Sequence, residues 1–193
     1  MNIIQKITPN FKVGRSGYKP EIIVLHIMDG TLSGTDSWFA DKVSQVSSNY
    51  GIGFNGEIHQ YVKDEDTAWC QGLKIPPINK PLFKLYKPNT NPNDYCLSIE
   101  HEGNDLSIVH EAQINASVAL IQSLCAKWNI PIDRDHIIGH YEIDPIRKPN
   151  CPATDKSIID RIVRQAQGTQ PAPVPNTLAS FIDELQTLIK KYQ

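Results

Sequence analysis

The chain has 193 residues, 40% of them hydrophobic, which is enough for one domain with a substantial core and a short appendage. Its formal net charge of -2 and pI of about 6.3 exclude a strongly basic surface, so nucleic acid is not expected as a partner. No apolar stretch has the length of a membrane span, and the first residues do not resemble a signal peptide. We therefore expect a protein that is made in the cytoplasm, with its four cysteines as reduced thiols.

The first third of the chain predicts a strand, a helix and a hairpin. Residues 21–27 contain a short apolar run, typical of a buried strand, which ends before Asp29 and Gly30. Residues 35–46 carry apolar side chains near one face of a predicted helix. Residues 50–62 are divided by an Asn-Gly pair, which is the strongest short signal for a β-hairpin.

The remainder of the domain continues to alternate between strands and helices. Residues 73–93 contain five prolines and are expected to form a long loop. The later elements are predicted as strands at residues 95–101 and 136–140 and as helices at residues 111–129 and 157–167. Such alternation predicts an α/β domain with a central mixed β-sheet that is flanked by helices.

The last part of the chain predicts an appendage to a domain that spans residues 1–167. Residues 168–176 are rich in proline and are predicted to form a semi-rigid linker. Residues 177–193 are predicted to form an amphipathic helix, which is too short to be stable alone in water. We expect its apolar face to self-associate into a homo-oligomer, and the alternatives are packing against the domain and docking on a partner protein.

Three residues from distant segments are candidates for a zinc site. His26 ends the first predicted strand, His140 ends a short apolar run, and Cys151 lies in an Asn-Cys-Pro turn. Two imidazoles and one thiolate leave a fourth position for water, which is typical of a catalytic zinc site. The alternatives are a core histidine, a loop histidine and a buried free cysteine, respectively.

Two glutamates are predicted to lie on one face of a strand, because Glu100 and Glu102 are two residues apart. A carboxylate within an apolar strand is costly to bury without a role, and the general base of a zinc site is one such role. This argument favours Glu100, whereas Glu102 is interpreted as a surface residue; a surface pair on an edge strand is the alternative for both. Cys70 is considered as a fourth soft ligand, but nothing nearby in the sequence pairs with it.

Short segments that occur in one order along the chain resemble a known family. They are residues 23–26, 46–52, 55–62, 67–69, 98–100, 139–140 and 151–152. Together they resemble the zinc-dependent N-acetylmuramoyl-L-alanine amidases of the type-2 class, which include phage endolysins, bacterial autolysins and the peptidoglycan recognition proteins. The resemblance covers residues 19–163. It implies that residues 1–167 are a zinc amidase catalytic domain, which hydrolyses the amide bond between N-acetylmuramic acid and L-alanine in bacterial peptidoglycan.

The resemblance implies a role for each of the main candidates. His26, His140 and Cys151 match the residues that hold Zn2+ in the family. Glu100 matches the glutamate that takes a proton from water and returns it to the leaving L-alanine amine.

Either Lys148 or Tyr50 is implied to stabilise the tetrahedral oxyanion. Lys148 stands three positions before the predicted cysteine ligand, whereas the basic residue of the family usually stands two positions before it. Cys70 occupies a position at which many members have histidine. Glu142 is expected to hold the His140 ring through its second nitrogen.

The expected setting is the bacterial cell wall, which the protein would reach as an endolysin or autolysin after release from the cytoplasm. The predicted linker and terminal helix favour this interpretation, because lysins often carry a targeting appendage. One alternative is a peptidoglycan-binding module without activity, although such modules typically lack the cysteine ligand. The other alternative is a cytoplasmic amidase that recycles wall fragments.

Overall fold

The structure, a computed structural model, describes residues 1–73, 77 and 80–168. Most of the predicted linker and the whole predicted C-terminal helix lie outside these residues, so the linker, the helix and its self-association stay predictions. Within the part of the chain that is described, no helix is long and apolar enough to cross a membrane. The described residues combine helices with a mixed sheet, which confirms the predicted α/β class.

Six of the eight strands in the described residues form the central sheet. The strands are β1 (Ile3–Gln5), β2 (Phe11–Lys12), β3 (Ile22–Ile27), β4 (Tyr50–Ile52), β5 (Ile58–Gln60), β6 (Thr67–Ala68), β7 (Cys96–His101) and β8 (Ile137–Gly139). The central order is β1-β5-β4-β7-β3-β8, and its neighbours are parallel except for the antiparallel pair of β4 and β5, which is the predicted hairpin. Sequence periodicity does not predict β1, β2 or β6, because two or three residues are too few to show a pattern.

The described residues contain four α-helices, of which three lie near the predicted positions with shifted ends, whereas the short third helix was not predicted. They are α1 (Leu32–Ala40), α2 (Glu111–Trp128), α3 (His140–Ile143) and α4 (Ser157–Ala166). The α1 helix begins earlier than predicted because Thr31 caps it and accepts a hydrogen bond from the Gly34 amide at 3.1 Å. It also ends earlier, and a separate 3-10 turn at Lys42–Ser44 follows it.

The two faces of the central sheet are buried by different parts of the chain. On one face, Leu25 and Ile99 pack with apolar residues of α2 and α4. On the other face, Val24 and Ile138 belong to a smaller cluster that includes Phe83 from the long loop. Because strand side chains alternate between faces, the residues that continue this second face at the ends of β3 and β7 point away from α2. This alternation decides which polar side chains share a cleft.

A hydrogen-bonded clamp ties the segment after β7 to the segment that contains Cys151. The Asp105 carboxylate accepts hydrogen bonds from the Ser107 amide at 2.9 Å and from the Thr154 amide and hydroxyl at 3.1 and 2.5 Å. Burial alone would raise the pKa of Asp105, but the hydrogen bonds from Ser107 and Thr154 outweigh burial and lower it to about 2. The clamp therefore stabilises the backbone close to Cys151.

We predict that Asp105→Asn lowers the free energy of unfolding at pH 7 by roughly 1–2 kcal/mol, because the amide cannot accept all the bonds that the carboxylate accepts. The pKa of Asp105 is lower in the folded state than its ordinary value of 3.8, so its contribution is complete above that value and is lost as the pH falls through about 2. Denaturant unfolding of both proteins between neutral and acidic pH measures the difference. A difference that stayed constant across this range would contradict the clamp.

Candidate active site

Three neighbouring strands place His26, Glu100 and His140 at the carboxyl end of the central sheet. His26 is in register with Glu100 across the parallel pair of β3 and β7. On the other side of β3 lies β8, which ends at Gly139, so His140 begins α3 directly beyond the sheet. The strand predicted at residues 136–140 is therefore shorter in the structure, where β8 spans Ile137–Gly139 and a helix begins at His140. In open α/β sheets, the carboxyl ends of the strands are where ligands bind.

The three predicted metal ligands lie close together at this end of the sheet. One ligand atom each of His26, His140 and Cys151 lies within 4.8 Å of the other two, and all three residues are buried. The centroids of the two imidazole rings are 4.3 Å apart. A second group, which consists of His26, Cys70 and Glu100, has its ligand atoms within the same distance of one another.

The protonation states of these residues fit a divalent cation. Burial lowers the pKa of His26 well below its ordinary value and lowers the pKa of His140 to about 4. Both imidazoles are therefore neutral near pH 7, which is the form that binds metal. Burial raises the pKa of the Cys151 thiol to about 12, and a bound cation would reverse this shift because it stabilises the thiolate. Two nitrogens and one sulfur form a donor set that Zn2+ prefers.

A backbone carbonyl orients the His140 ring. The His140 Nε2 atom donates a hydrogen bond to the Gln71 carbonyl at 3.1 Å, which leaves Nδ1 as the nitrogen with a free lone pair. Glu142 instead accepts hydrogen bonds from the Gly139 amide at 3.0 Å and from Arg134 at 2.8 Å. The expectation that Glu142 holds the His140 ring is therefore wrong, because its side chain turns back to cap α3.

Glu100 is a largely buried carboxylate beside the candidate ligands. Its Oε1 atom accepts a hydrogen bond from the Cys70 thiol at 3.6 Å and lies 3.9 Å from His26 Nδ1. Its Oε2 atom is buried, and no group in the described part of the chain forms a hydrogen bond with it. Burial raises the pKa of Glu100 to about 7, so the carboxylate can both accept and release a proton near neutral pH.

Glu102 has a different environment, although it is only two residues from Glu100. Its two carboxylate oxygens accept hydrogen bonds from the Leu32 amide at 3.1 Å and from the Phe54 amide at 2.9 Å. These bonds hold the start of α1 against the turn of the β4–β5 hairpin. Glu102 therefore supports the backbone, whereas Glu100 faces the candidate ligands.

The candidate ligands and Glu100 line a cleft of about 370 Å³. The lining also includes three aromatic and two basic residues, namely Trp38, Phe39, Trp69, Arg147 and Lys148. Arg147 is held in place by an ion pair with Asp144 and by a hydrogen bond to the Gly72 carbonyl at 2.7 Å. Sequence reasoning missed Arg147 and the aromatic lining, because these residues meet only in the folded chain. The short spacing between Asp144 and Arg147 is the one local signal that pointed to their ion pair.

Comparison with known proteins identifies the family. A family model described as N-acetylmuramoyl-L-alanine amidase matches residues 16–154. The chain belongs to this family. The match spans both histidine candidates, Glu100 and Cys151, and it confirms the resemblance seen in the sequence.

Several relatives of this amidase-family chain are amidases by name. N-acetylmuramoyl-L-alanine amidase A of Achromobacter lyticus is 32% identical over 111 residues, which cover 56% of this chain and 52% of the relative. The 1,6-anhydro-N-acetylmuramyl-L-alanine amidase AmpD of Enterobacter cloacae is 34% identical over 113 residues, which cover 58% and 54%. AmpD of Salmonella typhimurium is 28% identical over 167 residues, which cover 77% and 83%. The chain therefore spans about half the length of the first two of these curated relatives.

Solved structures of similar proteins share the fold of this family member. A selenomethionine derivative of AmpD has a TM-score of 0.65 at 22% identity, over 83% of this chain and 93% of that chain. A mutant endolysin from Bacillus subtilis has a TM-score of 0.61 at 19% identity, over 88% and 99%. These likenesses show the fold, and they confirm the central mixed sheet flanked by helices.

The two residues implied to stabilise an oxyanion lie in different places in this amidase-family chain. Lys148 lines the cleft. Tyr50 belongs to the apolar cluster on the opposite face of the sheet, and its hydroxyl donates a hydrogen bond to Asp64 at 2.6 Å. The register explains this, because Tyr50 pairs with Ile99, and Ile99 and Glu100 point to opposite faces. The expectation for Tyr50 is therefore corrected: its hydroxyl does not face the cleft.

We predict that Tyr50→Phe keeps the rate of amide hydrolysis within about threefold of the wild-type rate, because the hydroxyl lies outside the cleft. The free energy of unfolding should fall by about 1 kcal/mol, because the buried hydrogen bond to Asp64 is lost. Steady-state kinetics and denaturant unfolding measure the two effects. A stable Tyr50→Phe protein with a rate more than about tenfold below wild type would restore a catalytic role for Tyr50.

Proposed function

We propose that the chain is a zinc-dependent amidase, which hydrolyses the amide bond between N-acetylmuramic acid and L-alanine in bacterial peptidoglycan. The observation that carries the proposal is the convergence of His26, His140 and Cys151 beside the largely buried Glu100. The names of the Achromobacter and Enterobacter relatives support the same reaction.

His26, His140 and Cys151 are the residues that would hold the Zn2+ ion. The donor set supports this assignment, since it provides three protein ligands rather than the four of a structural site. When bound, the ion would supply a Lewis acid that polarises the scissile carbonyl and promotes ionisation of the attacking water. The hydrogen bond from His140 to the Gln71 carbonyl prepares one ring for binding, because it fixes the tautomer.

Glu100 is the proposed general base and then the general acid. The carboxylate accepts a proton from the attacking water, and the same proton passes to the L-alanine nitrogen as the amide bond breaks. A pKa of about 7 suits both steps, because burial brings the neutral and charged forms of Glu100 close in free energy.

Lys148 is the proposed partner of the oxyanion. It lines the same cleft as Glu100, and its positive charge would stabilise the tetrahedral oxyanion as that charge develops. Its charge also acts on the pKa of Glu100 and on that of His140, although burial has the larger influence on both. This influence supports a position of Lys148 close to the reacting groups.

Two cellular settings fit the proposed reaction. In the first, the protein is an endolysin or autolysin that degrades the cell wall after release from the cytoplasm, which the Pro-rich segment and predicted terminal helix favour. In the second, it recycles soluble wall fragments inside the cell. The relatives named AmpD favour this second setting, because their names specify a 1,6-anhydro-N-acetylmuramyl substrate.

Separate digests of intact walls and of soluble fragments distinguish the two cellular settings. Purified protein is incubated with intact walls from several bacterial types and, separately, with soluble 1,6-anhydro-muramyl peptides, and new amino termini of L-alanine are counted. Faster release from intact walls supports a lysin. A strong preference for the soluble peptides supports recycling. Binding to walls without any chelator-sensitive release would instead favour a non-catalytic module and overturn the proposed enzyme.

We predict that His26→Ala and Cys151→Ala each lose activity and the zinc ion that His26, His140 and Cys151 would hold together, because each removes one of only three protein ligands. Cys125→Ala is the matched control, since it removes a buried thiol of α2 that packs in the opposite core. Elemental analysis and amide hydrolysis are measured on the same preparations. Full zinc occupancy with full turnover in either variant would contradict the assignment of that residue as a zinc ligand.

We predict that Glu100→Gln keeps the fold and the zinc but lowers turnover by about 10²-fold or more, because glutamine cannot accept the water proton. Glu102→Gln is the control within the same strand end, and its expected effect is on stability, because its oxygens accept backbone hydrogen bonds. Turnover numbers and unfolding curves are compared for the pair. If Glu102→Gln reduced turnover more than Glu100→Gln, the roles would be reversed.

A further inference from the structure

A second set of donor atoms lies beside the proposed zinc ligands. The Cys70 Sγ atom is 3.6 Å from His26 Nε2 and 3.6 Å from Glu100 Oε1. His26 and Glu100 are in register on neighbouring strands, and Cys70 follows β6, so three separate segments bring these atoms together. Neither His140 nor Cys151 belongs to this group.

The two separations from Cys70 Sγ match those of ligands on a single tetrahedral ion. A metal–sulfur bond of about 2.3 Å and a metal–nitrogen or metal–oxygen bond of about 2.0–2.1 Å, at a tetrahedral angle, place the two ligand atoms roughly 3.6 Å apart. A thiolate from Cys70 and a carboxylate from Glu100 would balance the charge of a divalent cation. The buried Glu100 Oε2 atom, which has no hydrogen-bond partner among the described residues, adds a further oxygen at the same place.

We propose that His26, Cys70 and Glu100 form a second position for a soft divalent cation such as Zn2+ or Cd2+, which adjoins the proposed zinc site and shares His26 with it. Thiolate and imidazole ligands favour these ions over Mg2+ and Ca2+. Binding releases the Cys70 thiol proton to solvent and replaces the weak S–H···O contact with Glu100 by two bonds to the ion. When the first site is also filled, His26 releases its remaining ring proton too, so that each of its two nitrogens binds one ion.

Occupation of this position has a consequence that rests on the proposed function. An ion bound to Glu100 makes the carboxylate unavailable as a proton acceptor. Excess metal should therefore inhibit the amidase, although the first equivalent of Zn2+ activates it. Cys70 then determines the sensitivity to excess metal without a direct part in the reaction.

Cadmium binding tests the position without any substrate. The full-length double variant His140→Ala/Cys151→Ser lacks the two ligands that belong only to the first site, and circular dichroism checks that it is folded. Titration with Cd2+ should still produce the ultraviolet charge-transfer band of a cadmium–thiolate bond at one equivalent. Addition of Cys70→Ser to this background should abolish the band, whereas addition of Cys125→Ser should not. No band in the double variant, or a band that survives Cys70→Ser, overturns the proposal.

Inhibition by excess Zn2+ provides a second test, in proteins that keep the first site. Each protein is compared with its own rate at one equivalent of Zn2+. The wild-type rate should fall by about 10²-fold at saturation, the scale expected when a general base is lost, whereas Cys70→Ser should resist the excess. Equal inhibition of both proteins, or none in the wild type, overturns the inhibitory role. An inactive protein at every Zn2+ level would count against the proposed function, while the cadmium result would still decide the second position.

Discussion

The parallel pairing of β3 between β7 and β8 is the constraint on which the rest of the site depends. This pairing sets His26 directly opposite Glu100 and sets Leu25 opposite Gly139, so that His140 follows immediately beyond the sheet. A slip of one residue would turn His26 into the apolar core under α2 and leave Leu25 in the cleft. The core therefore selects the register, because the first five of the six residues of β3 are buried, and the register in turn brings the polar residues together.

Burial sets the protonation states of the residues that meet at the site. Removal from water makes the imidazoles of His26 and His140 neutral and brings the pKa of Glu100 to about 7. The same burial keeps the Cys151 thiol protonated until a cation stabilises the thiolate. Each of these states has a cost in the folded protein, which is offset by hydrogen bonds such as that from His140 to the Gln71 carbonyl. A bound divalent cation would offset much of the free-energy cost that these hydrogen bonds leave. Metal binding is thereby coupled to the stability of this end of the sheet.

Glu100 belongs to one of two overlapping donor sets and lies beside the other, and His26 is common to both. On one side it faces the proposed zinc ligands, where in the proposed reaction it would move a proton between water and the leaving amine. On the other side it contacts the Cys70 thiol, in a position that this chain fills with cysteine and many family members fill with histidine. If both proposals hold, a single carboxylate links the amount of bound metal to the capacity for proton transfer, and the cause is the geometry of three neighbouring segments.

Much of the molecule follows from local patterns in the sequence. Apolar runs and turn residues predict the α/β class and the strands that deliver His26 and Glu100, and the ordered segments predict the family, because these signals need only a few neighbouring residues. Short strands such as β1 and β2 carry too few residues for such a signal. Tertiary structure alone decided that Tyr50 faces away from the cleft, that Glu142 caps a helix, and that Cys70 contacts Glu100. These outcomes depend on strand register and on contacts between segments far apart in the chain, which side-chain periodicity within one segment does not encode.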